Sequence, residues 1–122
     1  RNLLLFYTGL ASDSSTVLSD QKKNTLNLKS AQQNLDSMVD LAERLNEDLL
    51  SDNYISLGEK LKEGWDFKKS LSKQISNVTI DKYYQKAIEA GAIGGKILGS
   101  GGGGFILLYA NPDLLQYYLH KL

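Results

Sequence analysis

Between two short apolar runs, GGKIL and FILLYA, the chain places Gly99, Ser100, Gly101, Gly102, Gly103 and Gly104 in succession. Glycine loses more backbone freedom on folding than any other residue. At roughly 0.5–1 kcal/mol each relative to alanine, the five glycines of this stretch cost on the order of 2–5 kcal/mol. Stability alone gives no reason for such a run. Either several successive residues need positive φ, or another group approaches the backbone more closely than a Cβ allows. The flanking runs are β-prone, so the feature reads as two strands joined by a glycine loop. Consecutive N–H groups without side chains can form an anion-binding concavity or let a second loop pack at contact distance, and both point to phosphate chemistry. A merely flexible hairpin is the plain alternative, although hairpins need only about two to five loop residues.

Upstream, LLLFYT over residues 3–8 is a continuous apolar run closed by Gly9, which predicts a central strand covered on both faces. ASDSS then offers several N-caps for a short helix carrying Val17 and Leu18. Leu28, Ala31, Leu35, Met38, Ala42, Leu45 and Leu49 recur at spacings of three and four, with Asp36, Asp40, Glu43, Arg44 and Glu47 between them. That is the pattern of one long amphipathic helix. After the capping cluster SDN, a second helix carries Tyr54, Leu57, Leu61 and Trp65 on one stripe and should run antiparallel to the first. A third is expected from Thr79 as N-cap, with Asp81 in its first turn, through Tyr84, Ala87 and Ile88 to Gly91 in the left-handed cap position. Asn111 followed by Pro112 predicts a further helix start. The fold class is α+β: one domain over residues 1–122, with a small, mainly antiparallel sheet layered with helices. The opening at Arg1 and the stop within YYLHKL read as a segment of a longer chain.

Fourteen basic and fourteen acidic side chains cancel, so no electrostatic attraction to nucleic acid or to an anionic membrane is expected. Partners are sought at a local site. The absence of cysteine excludes a disulfide framework, a thiol nucleophile and a thiolate zinc site, and fits a reducing cytoplasm. His120, the single histidine, makes no metal cluster and reads as a helix-dipole partner. No apolar run approaches the ~18 residues of a membrane span.

The glycine run satisfies G-x-G-x-x-G, but the dinucleotide fingerprint needs a helix after the loop and a later acidic ribose ligand, and FILLYA follows instead. A Walker A loop needs its lysine just after the last glycine, whereas Lys96 precedes the run. A protein-kinase glycine flap fits strand–loop–strand, yet no V-A-I-K, H-R-D or D-F-G segment is present. Lys96 is either a cation serving the loop or an edge-strand lysine that discourages aggregation. Trp65 with Phe67 reads as core rather than ligand platform, and Lys68, Lys69 and Lys73 as a solvated helix face. The pairs Tyr83–Tyr84 and Tyr117–Tyr118 read as helix packing with hydroxyls reaching water. The acids fall on polar helix faces, so no carboxylate dyad, catalytic residue or metal ligand is nominated.

AGAIGGKILGSGGGGF, residues 90–105, resembles the third signature of the GHMP small-molecule kinases, close to G-x-K-x-T-G-A-G-G-G-G, with Leu98 for threonine and Ser100 for alanine. Together with LLLFYTG and GWDFKKSLSKQISN, it is similar to the branch of D-glycero-D-manno-heptose 7-phosphate kinases and fucokinase-like sugar kinases, over nearly the whole chain. Ser12 departs from that branch, which commonly has arginine there. The resemblance implies the C-terminal domain, of ferredoxin-like type, of a two-domain cytoplasmic enzyme. Its N-terminal kinase domain would bring the P-x-G-L-G-S-S loop and the catalytic aspartate, so the 122 residues alone are expected to be inactive. The implied reaction transfers the ATP γ-phosphoryl to a sugar hydroxyl, with Mg²⁺ and ATP bound mainly through the N-terminal domain. Gly99, Ser100, Gly101, Gly102, Gly103 and Gly104 are carried over as the nucleotide-side loop, and Lys96, Trp65, Lys68 and Lys69 as substrate-binding residues. The implied partner is a sugar or sugar phosphate, heptose phosphate first. Fucose, galactose or a mevalonate-type alcohol, and a non-catalytic module that kept the fold, stand as alternatives; a homo-oligomer is left open.

Overall fold

Phe105–Tyr109 (β3) takes the centre of a three-stranded sheet between Leu3–Tyr7 (β1) and Gly94–Ile97 (β2). Both neighbours run antiparallel to it, with Leu5 and Lys96 facing Leu107 from either side. The computed structural model describes residues 2–11, 13–111 and 113–114. The readings of Ser12, Pro112, Tyr117, Tyr118 and His120 lie outside the described residues. Four helices complete the described chain: Ser14–Asn27 (α1), Lys29–Leu50 (α2), Ser56–Lys69 (α3) and Val78–Glu89 (α4). The α+β class stands.

The register separates the two sheet faces. Leu4, Phe6, Ile97, Ile106 and Leu108 point one way and join the core with Ile80 and Ala87 of α4; Phe6 meets Tyr83 edge-on at 5.6 Å. Trp65, Leu71, Ile75 and Ile80 complete the fully buried set. On the opposite face Leu3, Leu5 and Tyr7 remain 50%, 54% and 56% exposed. This corrects the expectation of a central first strand. A continuous apolar run signals burial on both faces, but β1 is an edge strand whose odd-numbered residues are covered by no described element.

The helices depart from expectation at their ends. α1 is fourteen residues long rather than short. It buries only Val17, so its length left little apolar signal; polar bonds hold it instead, with Asp20 accepting from the Ser72 hydroxyl, Gln21 accepting from Lys68, and Asn24 donating to the Leu71 carbonyl. Asp13 is the N-cap, accepting from the Thr16 amide. Leu28, expected within the long helix, has extended backbone and divides α1 from α2. Tyr54 stands exposed before α3, and SDN closes α2 rather than capping α3, with Asp52 at φ 60°. α4 is capped by Asn77, whose Oδ1 accepts from the Ile80 amide at 2.9 Å, and not by Thr79. Asx side chains compete well for that position, and here the better one lies two residues earlier.

α2 and α3 run antiparallel, as the pairs Asp48–Ser56, Arg44–Glu63 and Asn34–Ser70 require. α3 in turn lies on the sheet at unusually close range. A Cβ on Gly94 would sit 2.0 Å from the Gly58 carbonyl oxygen and 2.9 Å from the Lys62 amide, and one on Gly58 would strike Tyr109 and Ile93. Glycine at both positions is what brings α3 down onto β2.

Gly94→Ala should therefore lift α3 from the sheet and cost about 3 kcal/mol or more. Gly64→Ala, whose Cβ meets only the flexible Leu41 side chain at 3.2 Å, should stay within about 1 kcal/mol of the parent, because alanine also improves helix propensity. Urea unfolding of the two variants measures the difference.

Candidate functional site

The glycine loop is a defined structure. Gly99, Gly101, Gly102 and Gly104 all have positive φ, between 79° and 104°. Two amides pin the loop from opposite sides: Gly102 N–H donates to the Ile75 carbonyl at 2.7 Å, and Gly104 N–H to the Leu10 carbonyl at 2.9 Å. Thr8 clamps it through its amide and its hydroxyl, both donating to the Gly104 carbonyl at 2.8 Å. Gly103 has ordinary φ, and its need for glycine is steric, since a Cβ would lie 2.5 Å from the Leu10 carbonyl oxygen. Gly101 is constrained both ways, with φ 104° and the Ile75 carbonyl 2.6 Å from any Cβ. Among the described residues, no backbone bond engages the amides of Gly99, Ser100, Gly101 and Gly103. N–H groups without a backbone acceptor, on a loop held in place, are donors of the kind an anion needs.

Gly99 borders two depressions. One, of about 340 Å³, is walled by Tyr7, Leu10, Ala11, Ser14 and the loop itself. The other, of about 280 Å³, lies between α2, α3 and β2. Met38, Leu41, Leu45, Leu61 and Trp65 make its apolar wall, and Lys60, Lys68 and Lys96 also line it. Lys60 lies 3.9 Å from Asp48. Lys68 and Lys96 form no ion pair among the described residues. Burial, and then repulsion from Lys96, hold the Lys68 pKa below the ordinary lysine value. It donates a hydrogen bond to the Gln21 side-chain oxygen at 2.9 Å.

Of the four residues expected to bind substrate, the structure therefore brings three together. Trp65, Lys68 and Lys96 line one cavity beside Gly99. Lys69 does not join them: it lies 5.9 Å from the Trp65 ring centroid and 3.9 Å from Asp66, bordering a separate polar depression with Asp20 and Asn24. Trp65 is core and cavity wall at once, 2% exposed, and its buried indole N–H has no partner among the described residues. Left unmet, such a donor costs about 1–3 kcal/mol. Lys96 lies on an edge strand, β2, and is one of the residues that line the cavity. Lys68 is half-buried rather than part of a solvated face. Nor does the Tyr84 hydroxyl reach freely into water: it points to the Gly95 carbonyl at 3.5 Å, and burial pushes its pKa up to about 12.

Lys60 and Gln21 escaped the sequence reading. Lys60 sits among charged residues that look alike on a helix face. Gln21 lies in a polar helix whose sequence gives no sign of which side chain turns inward.

Residues 45–116 match the family model of GHMP kinases C terminal. D-glycero-alpha-D-manno-heptose 7-phosphate kinase of Campylobacter jejuni is 27% identical over 109 residues, which cover 89% of this chain and 32% of that protein. Among solved structures, L. major mevalonate kinase in complex with R-mevalonate superposes with a TM-score of 0.87 at 20% identity, over 98% of this chain and 37% of that one. A Lin0012 protein from Listeria innocua gives 0.85 at 17% identity, over 98% of this chain and 35% of that one. The chain thus spans about a third of the length of each relative it matches.

The loop geometry separates two alanine variants. Gly99→Ala meets only backbone strain, with nothing within 4 Å of its Cβ, and should cost about 1–2 kcal/mol. Gly101→Ala adds a clash with the Ile75 backbone and should cost at least about 2 kcal/mol more. Thermal unfolding of the pair checks the order; equal effects would mean that the loop is not pinned at Ile75.

Proposed function

The chain belongs to the GHMP kinases through their C-terminal domain, and from that premise we propose that it forms one wall of a cleft where the γ-phosphoryl of ATP passes to a hydroxyl of a sugar phosphate, a heptose phosphate first. The carrying observation is that, among the described residues, Gly99 separates a loop whose amides lack backbone acceptors from a cavity lined by Lys68 and Lys96, neither of which has a carboxylate partner. Two anion-receptive surfaces on either side of one residue suit a reaction that handles two phosphates. The loop amides face the phosphoryl group in transfer; the lysine pair receives the phosphate already carried by the acceptor. The apolar wall, with Trp65, takes the carbon face of the sugar. The name of the Campylobacter jejuni relative supports a heptose 7-phosphate as that acceptor.

In the transfer, the acceptor oxygen bonds to the γ-phosphorus as the bond to the bridging oxygen of ADP breaks, and charge gathers on the phosphoryl oxygens. Fixed N–H donors stabilise such charge without reorganising. Among the described residues the amides of Gly99 and Ser100 have no backbone acceptor and belong to residues that are not buried, which supports this role for them. No group of three or more histidine or acidic side chains converges among the described residues, and Mg²⁺ is assigned mainly to the N-terminal domain, with no step routed through it. The base that takes the hydroxyl proton is likewise assigned to the N-terminal domain of the whole kinase, in the cytoplasm.

Steady-state kinetics of the full-length protein test this. Heptose 7-phosphate should be preferred to fucose, galactose and mevalonate. Lys68→Met and Lys96→Met should each raise KM for heptose 7-phosphate about tenfold or more, while KM for ATP moves less than about threefold. The opposite split would assign the lysines to the nucleotide.

A pH prediction follows from Lys68. Only its protonated form attracts phosphate, and its pKa lies below the ordinary 10.5. KM for the sugar phosphate should therefore rise with increasing pH through that lowered value. Lys68→Arg, which stays charged, should abolish this alkaline limb; a limb unchanged in that variant would assign it to another group.

A further inference from the structure

Gln21 lies on α1, outside the cavity, and reaches Lys68 across the fold. A lysine ammonium can only donate, so the 2.9 Å contact from Lys68 Nζ fixes the carboxamide oxygen of Gln21 as the acceptor. That oxygen carries only a partial charge. An acid stands next to it in sequence, Asp20, yet its carboxylate accepts from the Ser72 hydroxyl instead. Three other cations of this region lie near acids: Lys60 near Asp48, Lys69 near Asp66, and Arg44 between Asp40 and Glu63. Lys68 alone among these is held by a neutral group.

We propose that Gln21 is a positioning residue for specificity: it fixes the Lys68 ammonium beside Lys96 at the cavity while leaving its charge uncancelled, and so makes the site selective for a phosphorylated over a neutral sugar. A carboxylate at this position would hold the lysine equally well and remove much of the local positive field. An apolar residue would leave the charge but not its placement. This inference rests on the reading of the lysine pair as the acceptor-phosphate site, and its test separates the two.

The test is isothermal titration of heptose 7-phosphate and of unphosphorylated heptose into the full-length protein, without turnover, comparing wild type with Gln21→Glu, Gln21→Met and Lys68→Met. Gln21→Glu should weaken heptose 7-phosphate binding about tenfold or more, and Gln21→Met only about threefold, with heptose affinity moving less than about twofold in either. That order is diagnostic, because a purely structural role predicts the reverse: glutamate keeps the length and the hydrogen bond that methionine loses. Thermal unfolding of each variant shows that the compared proteins are folded. Should Gln21→Met weaken phosphate binding as much as Gln21→Glu, or should Gln21→Glu have no effect while Lys68→Met does, the role of Gln21 is overturned and the lysine site stands. Unchanged affinity in Lys68→Met, or no binding of heptose 7-phosphate by wild type, overturns both.

Discussion

The absence of two Cβ atoms, on Gly58 and Gly94, sets the geometry on which the rest of the domain depends. With the Gly58 carbonyl where a Gly94 side chain would begin, α3 rests on the backbone of β2 rather than on a layer of side chains. That contact fixes the height of α3 above the sheet. Further along the same helix come Trp65 and Lys68; two residues along the same strand comes Lys96. The cavity is the space left where helix and strand diverge from their contact, closed on its outer side by Met38, Leu41 and Leu45 of α2. Burial of Trp65, Leu71 and Ile75 supplies the apolar stabilisation that holds two like charges near one another.

The glycine loop depends on the same frame. Its two anchors are carbonyls at Ile75, just after α3, and Leu10, just after β1. Each anchor requires the loop backbone within hydrogen-bond distance, which excludes a Cβ at Gly101 and Gly103. The remaining glycines provide the positive φ that turns the chain between the anchors. The entropy lost at five glycines is thus the cost of a pre-shaped backbone surface, on which several amides have no backbone acceptor among the described residues. A flexible hairpin would bear the same cost and present no fixed donors.

Much of this was legible in the sequence, for reasons that differ by element. α2 and α4 have strong apolar periodicity, and β2 and β3 are marked by the loop between them, so all four were readable. β1 was readable as a strand but not as an edge, because Leu3, Leu5 and Tyr7 are apolar although exposed, and composition does not reveal which face is covered. The extent of α1 was hidden because polar bonds to residues about fifty positions away stabilise it, and such bonds leave no periodic trace. In the site, the glycines and Lys96 stand out through their motif. The cavity does not, since the stripe from Met38 to Leu45 has the same pattern whether it packs fully or leaves a space.

Charge pairing explains how a chain of zero net charge can hold a positive site. Asp40 and Glu63 are engaged with Arg44, Asp48 with Lys60, Asp66 with Lys69, and Asp20 with the Ser72 hydroxyl. Each of these acids lies close to the cavity in sequence or in space, and each is occupied away from Lys68 and Lys96. Surface pairs of this kind contribute little to stability, about 0–1 kcal/mol each. Their larger consequence is distributional: they fix where negative charge resides, and among the described residues they leave Lys68 and Lys96 without an ion-pair partner. Net charge therefore says nothing against phosphate as a ligand here, because a local field depends on which charges are paired and not on their sum.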